Sequence, residues 1–348
     1  MLRALKHRNY RLFISGQLVS LIGTWMQSVA QAWLVYRLTG SAVLLGAVGF
    51  AGQIPVFLIA PAGGLLADRH DRRRILLATQ SASLLLAVAL GVLTLSGRVE
   101  VWHIMLLASL MGAANGFDIP TRQAFVAELV GRNDLMNAIA LNSSMFNGAR
   151  IVGPAIAGVV VAAVGEGWCF LANGVSYLAV LAGLLSIRRP APERPPRMGS
   201  AFSELLEGFR FASRTRPVRA ILLLLGLVSL AGVPYSVLMP IVAAEVLGEG
   251  ASGLGVLMGA SGVGALLGAL SLARRGSTRG LGHIVARAAG GCGVALILFS
   301  LSRNYLLSVL LLLPVGFAML LQMSSSNTLL QSMVPDRLRG RVMALYSM

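Results

Sequence analysis

The chain has 348 residues, of which 56% are hydrophobic and only 12% are charged, with 29 lysines and arginines against 13 acidic residues. A soluble domain has about a quarter charged residues, so this composition excludes a water-soluble enzyme and predicts a chain surrounded by lipid. The net charge of +16 lies in short basic clusters between long apolar runs, a distribution that favours a polytopic membrane protein over a nucleic-acid-binding protein.

Apolar runs long enough to cross about 30 Å of hydrocarbon as a helix recur along the whole chain. They predict an all-α membrane protein, because helices keep every backbone polar group paired within the bilayer. An eleventh run begins near Val342 and is interrupted by the end of the sequence. The ten complete predicted spans cover residues 12–37, 42–67, 75–96, 103–126, 137–163, 168–187, 218–243, 252–272, 283–301 and 305–332.

The basic residues predict which ends of the spans face the cytoplasm. With the N-terminus inside, the outer loops hold only Arg37, Arg98 and Arg303, whereas the opposite orientation would place most basic residues outside. Residues 1–11 are basic and lack a small-residue cleavage site, which is typical of a cytoplasmic leader and not of a removable signal peptide. We therefore expect a multi-pass protein with a cytoplasmic N-terminus.

A polar interval at residues 188–219 divides the chain in two. Its first part is rich in proline and arginine and is expected to be extended and solvated. The predicted organisation is an N-terminal six-span bundle at residues 1–188, a cytoplasmic central loop at 189–217, and a C-terminal bundle at 218–348 that is truncated in its eleventh span.

The second part of the central loop has an amphipathic pattern. Phe202, Leu205, Leu206 and Phe209 share one helical face, which fits a short helix lying on the cytoplasmic surface of the membrane. A plain linker that carries some apolar residues fits the same pattern, and both interpretations stay open.

Two sequence matches indicate that the bundles are repeats of one another. L-V-S-L-I-G at residues 18–23 recurs as L-V-S-L-A-G at 227–232, and the same spacing separates Gly46 from Gly255. Two pseudo-symmetric six-helix bundles in parallel repeats are the arrangement of one large class of transporters.

The most specific motif follows the second span, where residues 63–74 read G-G-L-L-A-D-R-H-D-R-R-R. The spacing resembles the loop 2–3 signature of the major facilitator superfamily, G-x-x-x-D-R-x-G-R-R, with Asp71 at the second glycine. This resemblance implies a latch that favours one of two domain arrangements, and a basic loop that serves topology alone is the alternative. Gly64 is expected to let two helices approach closely. The predicted latch residues are Gly64, Asp68, Arg69, Arg72, Arg73 and Glu128.

The fourth predicted span carries the one acid that lies well inside a span. Asp118 and Arg122 are four residues apart and share a helix face, and Pro120 between them predicts a kink or an opening. Ionisable residues inside a membrane mark ion or substrate pathways by default. Three interpretations remain: a static ion pair, a carboxylate that couples transport to protons, and a substrate contact.

The fifth predicted span places Arg150 about 20 Å from the helix start, near the middle of the bilayer. An unpaired arginine there is costly, so we expect it to meet Asp118, Asn147 or water in a central cavity. Gly153, Pro154 and Gly158 resemble part of the span-five motif of drug:proton antiporters, although Ala157 replaces one of its glycines. Tight helix packing alone would explain the same residues.

Polar residues in other spans are candidates for lining a central cavity. Gln27 and Gln31 are one turn apart in the first span, which lacks the acid that several drug antiporters carry there. The full set of cavity candidates is Gln27, Gln31, Asn115, Gln322 and Asn327.

Other chemistry has no sequence support. The chain contains no G-x-x-x-x-G-K-[ST] nucleotide loop, and its four histidines lack metal-ligand spacing. We expect no cofactor, no metal site, no nucleic-acid partner and no enzymatic activity.

Four stretches together resemble one branch of the superfamily: N-Y-R-L-F-I-S-G-Q at the start, W-L-V-Y-R-L-T-G-S at the end of the first span, the D-R-H-D-R-R-R loop and G-F-D-I-P-T-R-Q-A-F-V-A-E-L. This drug:proton antiporter branch includes enterobactin exporters, macrolide efflux pumps and transmembrane secretion effectors. The resemblance implies a monomeric inner-membrane exporter of small amphipathic molecules, driven by protons through alternating access. An importer or facilitator of the same fold and a truncated, non-transporting membrane protein are the alternatives.

Overall fold

A computed structural model describes residues 3–187, 209–232, 234–274 and 280–335, together with residues 338, 342, 343 and 346. This part of the chain is helical and contains no strand. A short 3-10 helix (Arg3–Lys6) and a π-helical turn (Val242–Val246) accompany the α-helices. These are α1 (Arg8–Thr39), α2 (Ala42–Arg69), α3 (Arg72–Leu95), α4 (Val101–Val164), α5 (Glu166–Ser186), α6 (Arg216–Ala231), α7 (Pro234–Ile241), α8 (Ala251–Ala273), α9 (Leu281–Leu301) and α10 (Tyr305–Met333).

Helix α4 contains both the fourth and the fifth predicted spans. Its one residue with non-helical dihedral angles is Gly131, with φ 69° and ψ 177°, a conformation that a residue without Cβ adopts readily. The first segment of α4 (101–130) and the second segment (132–164) therefore follow each other across a single glycine. Pro120 lies inside the first segment, and the kink or opening predicted there stays a prediction.

Nine helices in the described part of the chain are long and apolar enough to cross a membrane. The prediction of an all-α, multi-pass membrane protein is confirmed. The first segment of α4, which holds the predicted span 103–126, is not one of the nine. It carries Asn115, Asp118 and Arg122, and these polar side chains lower its mean hydropathy. Large apolar side chains elsewhere are exposed on the outer faces of the helices, as expected for a protein surrounded by lipid.

The described residues fall into two compact units. The first comprises described residues within 1–197 and 240–256, and the second those within 198–239 and 257–348. In the first unit α4 packs against α1, α2 and α3, and α5 packs against α1 and α3. In the second unit α10 packs against α9 and α6.

Backbone-to-backbone contacts at glycines bring the helices of each unit together. In the first unit a Cβ on Gly63 of α2 would collide with the backbone of α4 at Gly116, and one on Gly16 of α1 with the backbone of α5 at Ala179. In the second unit Gly264 of α8 lies against the backbone of α10 in the same way. Small residues allow this closeness, and close contact supplies the dispersion energy that holds helices together in lipid.

Two features predicted from the sequence lie largely outside the described residues. The central loop includes Phe202, Leu205 and Leu206, which are not among them, while Phe209 is described as exposed at the start of a helical stretch at 209–214. The eleventh span is represented by a few described residues that begin with Val342. The predicted domain boundaries at 188 and 217 stay predictions.

Candidate functional site

A buried carboxylate lies where the first segment of α4 meets α3. Asp118 is 3% exposed, and its Oδ1 accepts hydrogen bonds from Thr79 Oγ1 at 3.0 Å and Gln80 Nε2 at 2.8 Å. Its Oδ2 lies 3.4 Å from Arg122 Nε. Both carboxylate oxygens therefore have partners, one oxygen with two neutral donors and the other with a cation.

The local sequence explains this arrangement only in part. Arg122 follows Asp118 by one helical turn, so the pair forms within one helix. Thr79 and Gln80 belong to a polar interruption in the apolar third span, and sequence reasoning did not include them among the site residues. The signal that could have found them is two adjacent polar side chains in the interior of an otherwise apolar run.

A layer of neutral polar side chains continues from this cluster through the interior of the first unit. The amide of Asn173 on α5 donates from Nδ2 to Gln27 Oε1 on α1 at 2.6 Å, and both side chains are buried. Tyr177, one turn further along α5, faces Thr24 and Asn173 and also Ser83 of α3. Gln27 is thus bonded inside the bundle, and the cavity-lining role that we predicted for it stays a prediction. Gln31 and Asn115 are half-buried.

Arg150 lies apart from this carboxylate. Its guanidinium carbon is 5.7 Å from the ring centroid of Trp25 on α1, and Trp25 contacts Phe146 edge-on at a centroid distance of 5.5 Å. Asn147 donates from Nδ2 to the Ser143 carbonyl in its own helix at 2.8 Å. The expectation that Arg150 meets Asp118 or Asn147 is wrong for this conformation, because both candidates are bonded elsewhere and the cation stacks on an aromatic ring.

Three of the predicted latch residues, Asp68, Arg72 and Glu128, form a cluster at one end of α2, α3 and the first segment of α4. Arg72 donates from Nε to the Ala67 carbonyl and from Nη1 to the Ala124 carbonyl, at 3.1 and 3.2 Å. Its guanidinium also lies 3.4 Å from both the Asp68 and the Glu128 carboxylates. One arginine therefore joins the end of α2 to the first segment of α4. Arg69 is exposed.

Two other residues of this loop have structural partners of their own. Arg73 donates to the carbonyls of Leu184 and Leu185 at the end of α5, at 2.7 and 2.9 Å. Asp71, at the position of the usual second glycine, is the N-cap of α3 and accepts from the Arg73 backbone N–H at 2.9 Å. The departure from the family pattern thus gives α3 a capping residue.

The close helix approach that we predicted at Gly64 is made by Gly63 instead. A Cβ on Gly63 would collide with the α4 backbone, whereas a Cβ on Gly64 would meet no heavy atom within 4 Å among the described residues. The two positions differ by one residue, which turns the helix face by about 100°.

Both glycines of the antiporter-like motif lie at close contacts. A Cβ on Gly153 would collide with Trp25 and with the α1 backbone, and one on Gly158 would lie 3.0 Å from the Gly255 Cα. Pro154 is also at the second contact, because its carbonyl oxygen is 2.8 Å from the position of a Cβ on Gly255. The packing interpretation of this motif accounts for these contacts.

Two cavity candidates lie in the second unit. Gln322 of α10 is fully buried, and neither its Oε1 nor its Nε2 has a hydrogen-bond partner in the described part of the chain. Asn327 is half-buried and accepts through Oδ1 from Gln331 Nε2 at 2.6 Å. The structure thus gives these two residues different surroundings within one helix.

The sequence matches a known family over nearly its whole length. The family described as transmembrane secretion effector matches residues 2–348. The staphyloferrin A transporter of Staphylococcus aureus is 25% identical and covers 97% of this chain and 85% of its own. The enterobactin exporter EntS of Salmonella typhi is 26% identical, and the alignment covers 98% of this chain and 82% of the exporter. Macrolide efflux protein A of Streptococcus pyogenes is 26% identical, and the alignment covers 69% of this chain and 61% of the efflux protein.

Solved structures show the same fold. The nucleoside transporter NupG aligns with a TM-score of 0.69 over 97% of this chain and 87% of its own, at 14% identity. A bacterial homologue of the human lysosomal transporter Spinster, in an inward-facing and occupied conformation, aligns with a TM-score of 0.66 at 16% identity. The alignment covers 98% of this chain and 79% of the homologue.

Proposed function

Because this chain belongs to the transmembrane secretion effector family of the major facilitator superfamily, and is a membrane transporter of small molecules and not an enzyme, we propose that it is a secondary active exporter of small amphipathic molecules. The names of its relatives support this direction, since one is an exporter of enterobactin and another is a macrolide efflux protein. Its proposed substrates are drug-like or siderophore-like molecules.

The proposed mechanism is alternating access driven by proton influx. Two related six-helix bundles would rock about a central cavity, as in transporters built from repeats. The protein would act as a monomer in the inner (plasma) membrane with its N-terminus in the cytoplasm, because the basic residues favour that orientation.

Asp118 is the proposed coupling carboxylate, and its surroundings are the observation that supports this role. Among the described residues it is the one acid that lies within a predicted span and away from a helix end. Protonation would cancel its charge, weaken its ion pair with Arg122, and leave Thr79 and Gln80 as neutral donors. A change of charge at a contact between α3 and α4 is a local event that can favour one of two helix arrangements.

The Arg72 cluster is the proposed conformational latch. Arg72 joins Asp68 and Glu128, which belong to different helices, so separation of the helix ends would break the pairs. Such contacts stabilise one arrangement of the helices over another without touching the substrate.

The test uses the full chain reconstituted in lipid vesicles with an imposed pH gradient, with a radiolabelled macrolide and radiolabelled enterobactin as probes. We expect at least one probe to move against its own gradient when protons flow the other way, and a protonophore to abolish that accumulation. Accumulation in the same direction as the protons would overturn the assignment as an exporter.

Variants of the acids test the coupling role. Asp118→Asn should abolish proton-driven accumulation while exchange of labelled for unlabelled probe continues. Asp134→Asn is the matched control, because this acid lies near the start of the second segment of α4, 2.8 Å from His7 Nε2, and has no part in the proposed coupling. Proton-driven accumulation at the parent rate in Asp118→Asn would refute the assignment.

A further inference from the structure

Arg150 has no carboxylate partner in the part of the chain that the structure describes. It lies in the middle of the membrane-crossing stretch Asn137–Val164, about 20 Å along the helix from Asn137. Every ion pair found in the described part of the chain involves other residues. An arginine in the centre of a bilayer costs at least about 3 kcal/mol unless something compensates its charge.

The contacts of Arg150 place it beside aromatic rings. Its guanidinium lies over the face of Trp25. Phe146, one turn earlier in the same helix as Arg150, makes a T-shaped contact with Trp25 and is 45% exposed. Gly153 makes this arrangement possible, because any side chain there would push α4 away from Trp25. A cation–π contact uses the flat face of the guanidinium and leaves its N–H donors at the edge.

The Asp118–Arg122 pair provides a contrast within the same unit. There the Asp118 carboxylate neutralises Arg122 through one oxygen, and its other oxygen accepts hydrogen bonds from two neutral donors. At Arg150 the described part of the chain supplies an aromatic face and no anion. The compensating anion must therefore come from outside this part of the chain.

We infer that Arg150, Trp25 and Phe146 form a binding site for the anionic group of an aromatic substrate. The guanidinium donors would hold a carboxylate or a similar oxyanion, and the exposed face of Phe146 would contact the attached ring. This inference rests on the proposed transport function and gives its substrate class as an organic anion with a planar ring.

Binding of simple probes to the purified full chain in lipid nanodiscs tests this inference. The other tryptophans, Trp33, Trp102 and Trp168, are replaced by phenylalanine so that Trp25 alone reports. The three probes are 2-naphthoate, its neutral amide and the cationic 2-naphthylmethylammonium. We expect saturable quenching of Trp25 by naphthoate, with at least tenfold weaker binding of the amide and the cation.

Variants distinguish charge recognition from structural support. Arg150→Gln should weaken naphthoate binding at least tenfold and leave amide binding unchanged, and Arg150→Lys should restore part of the difference. Arg287→Gln is the matched control, since this arginine also lies within a predicted span, and it should leave all three affinities unchanged. Binding of naphthoate by Arg150→Gln as tightly as by the parent, or no preference for the anion in the parent, would overturn the inference.

The outcome is separable from that of the proposed function. Failure of anion selectivity with intact proton-driven transport of a macrolide would refute the site and leave the exporter. Anion binding that persists in a chain without proton-driven transport would refute the exporter and leave the site. If Arg150→Gln does not fold, Arg150→Lys and Phe146→Leu provide the comparison, because both keep the Trp25 reporter, and unchanged naphthoate affinity in both would refute the inference.

Discussion

The first unit holds two arginines that lie within predicted spans, and their surroundings are opposite. Arg122 pairs with an acid of its own helix, and that acid accepts two more hydrogen bonds from α3. Arg150 has an aromatic face and no acid in the described part of the chain. The difference teaches that the partners of an arginine, and not its position along a span, explain its charge. Arg122 and Asp118 neutralise each other, whereas Arg150 is a cation that remains available to a ligand.

The largest effect on stability is expected at the ion pair of Asp118 and Arg122. Arg122→Ala leaves Asp118 buried without its cation and should lower the free energy of unfolding by about 3–5 kcal/mol. The apparent melting temperature in detergent measures this change. Asp118→Asn combined with Arg122→Gln should recover most of the loss, and a double variant as unstable as Arg122→Ala would contradict the interpretation of a charge-compensated pair.

A smaller effect is expected at the helix contact beneath the second arginine. Gly153→Leu forces a side chain into the α1–α4 contact and should cost about 1–3 kcal/mol, because a packed interface cannot take extra methylene groups. Gly64→Leu is the control, since a Cβ there meets nothing within 4 Å in the described part of the chain. Equal melting temperatures of the two variants would show that Gly153 is not at a packed contact.

A substitution of the ring beneath Arg150 sharpens the comparison further. Trp25→Phe keeps an aromatic face of smaller area and should lower the free energy of unfolding by about 1 kcal/mol, because the cation–π contact weakens. The same substitution should leave the Asp118–Arg122 pair intact, so transport of a macrolide should still require the pH gradient. Transport that continues at the same rate after a protonophore collapses the gradient would place Trp25 in the coupling machinery.

The smallest effect on stability is expected for Asp68→Asn at the helix ends, although the effect on transport is large. It removes one partly solvated pair and should change the free energy of unfolding by at most about 1 kcal/mol. Arg72→Ala also removes the hydrogen bonds to the Ala67 and Ala124 carbonyls and should cost more. Both should nevertheless abolish transport, because the contact favours one helix arrangement over another. Membrane insertion measured by expression and detergent extraction should be unchanged, and transport at the parent rate in either variant would refute the latch.

Much of the fold and part of the site could be read from the sequence. Apolar runs of sufficient length predict membrane spans because a bilayer admits few other structures, and the described part of the chain is helical and multi-pass as predicted. The pair of Asp118 and Arg122 follows from their spacing alone, since residues four apart meet on one helix. These features depend on neighbours along the chain, which a sequence shows directly.

The tertiary structure decided which helix faces meet. It brought Thr79 and Gln80 to Asp118, seated Arg150 on Trp25, and placed Gly63 instead of Gly64 at the α2–α4 contact. A single residue turns a helix by about 100°, and several polar faces in one apolar run are equally plausible until a neighbouring helix packs against one of them. The partners of a charge in lipid are therefore determined by packing between helices distant in sequence, whereas the spans themselves follow from local composition.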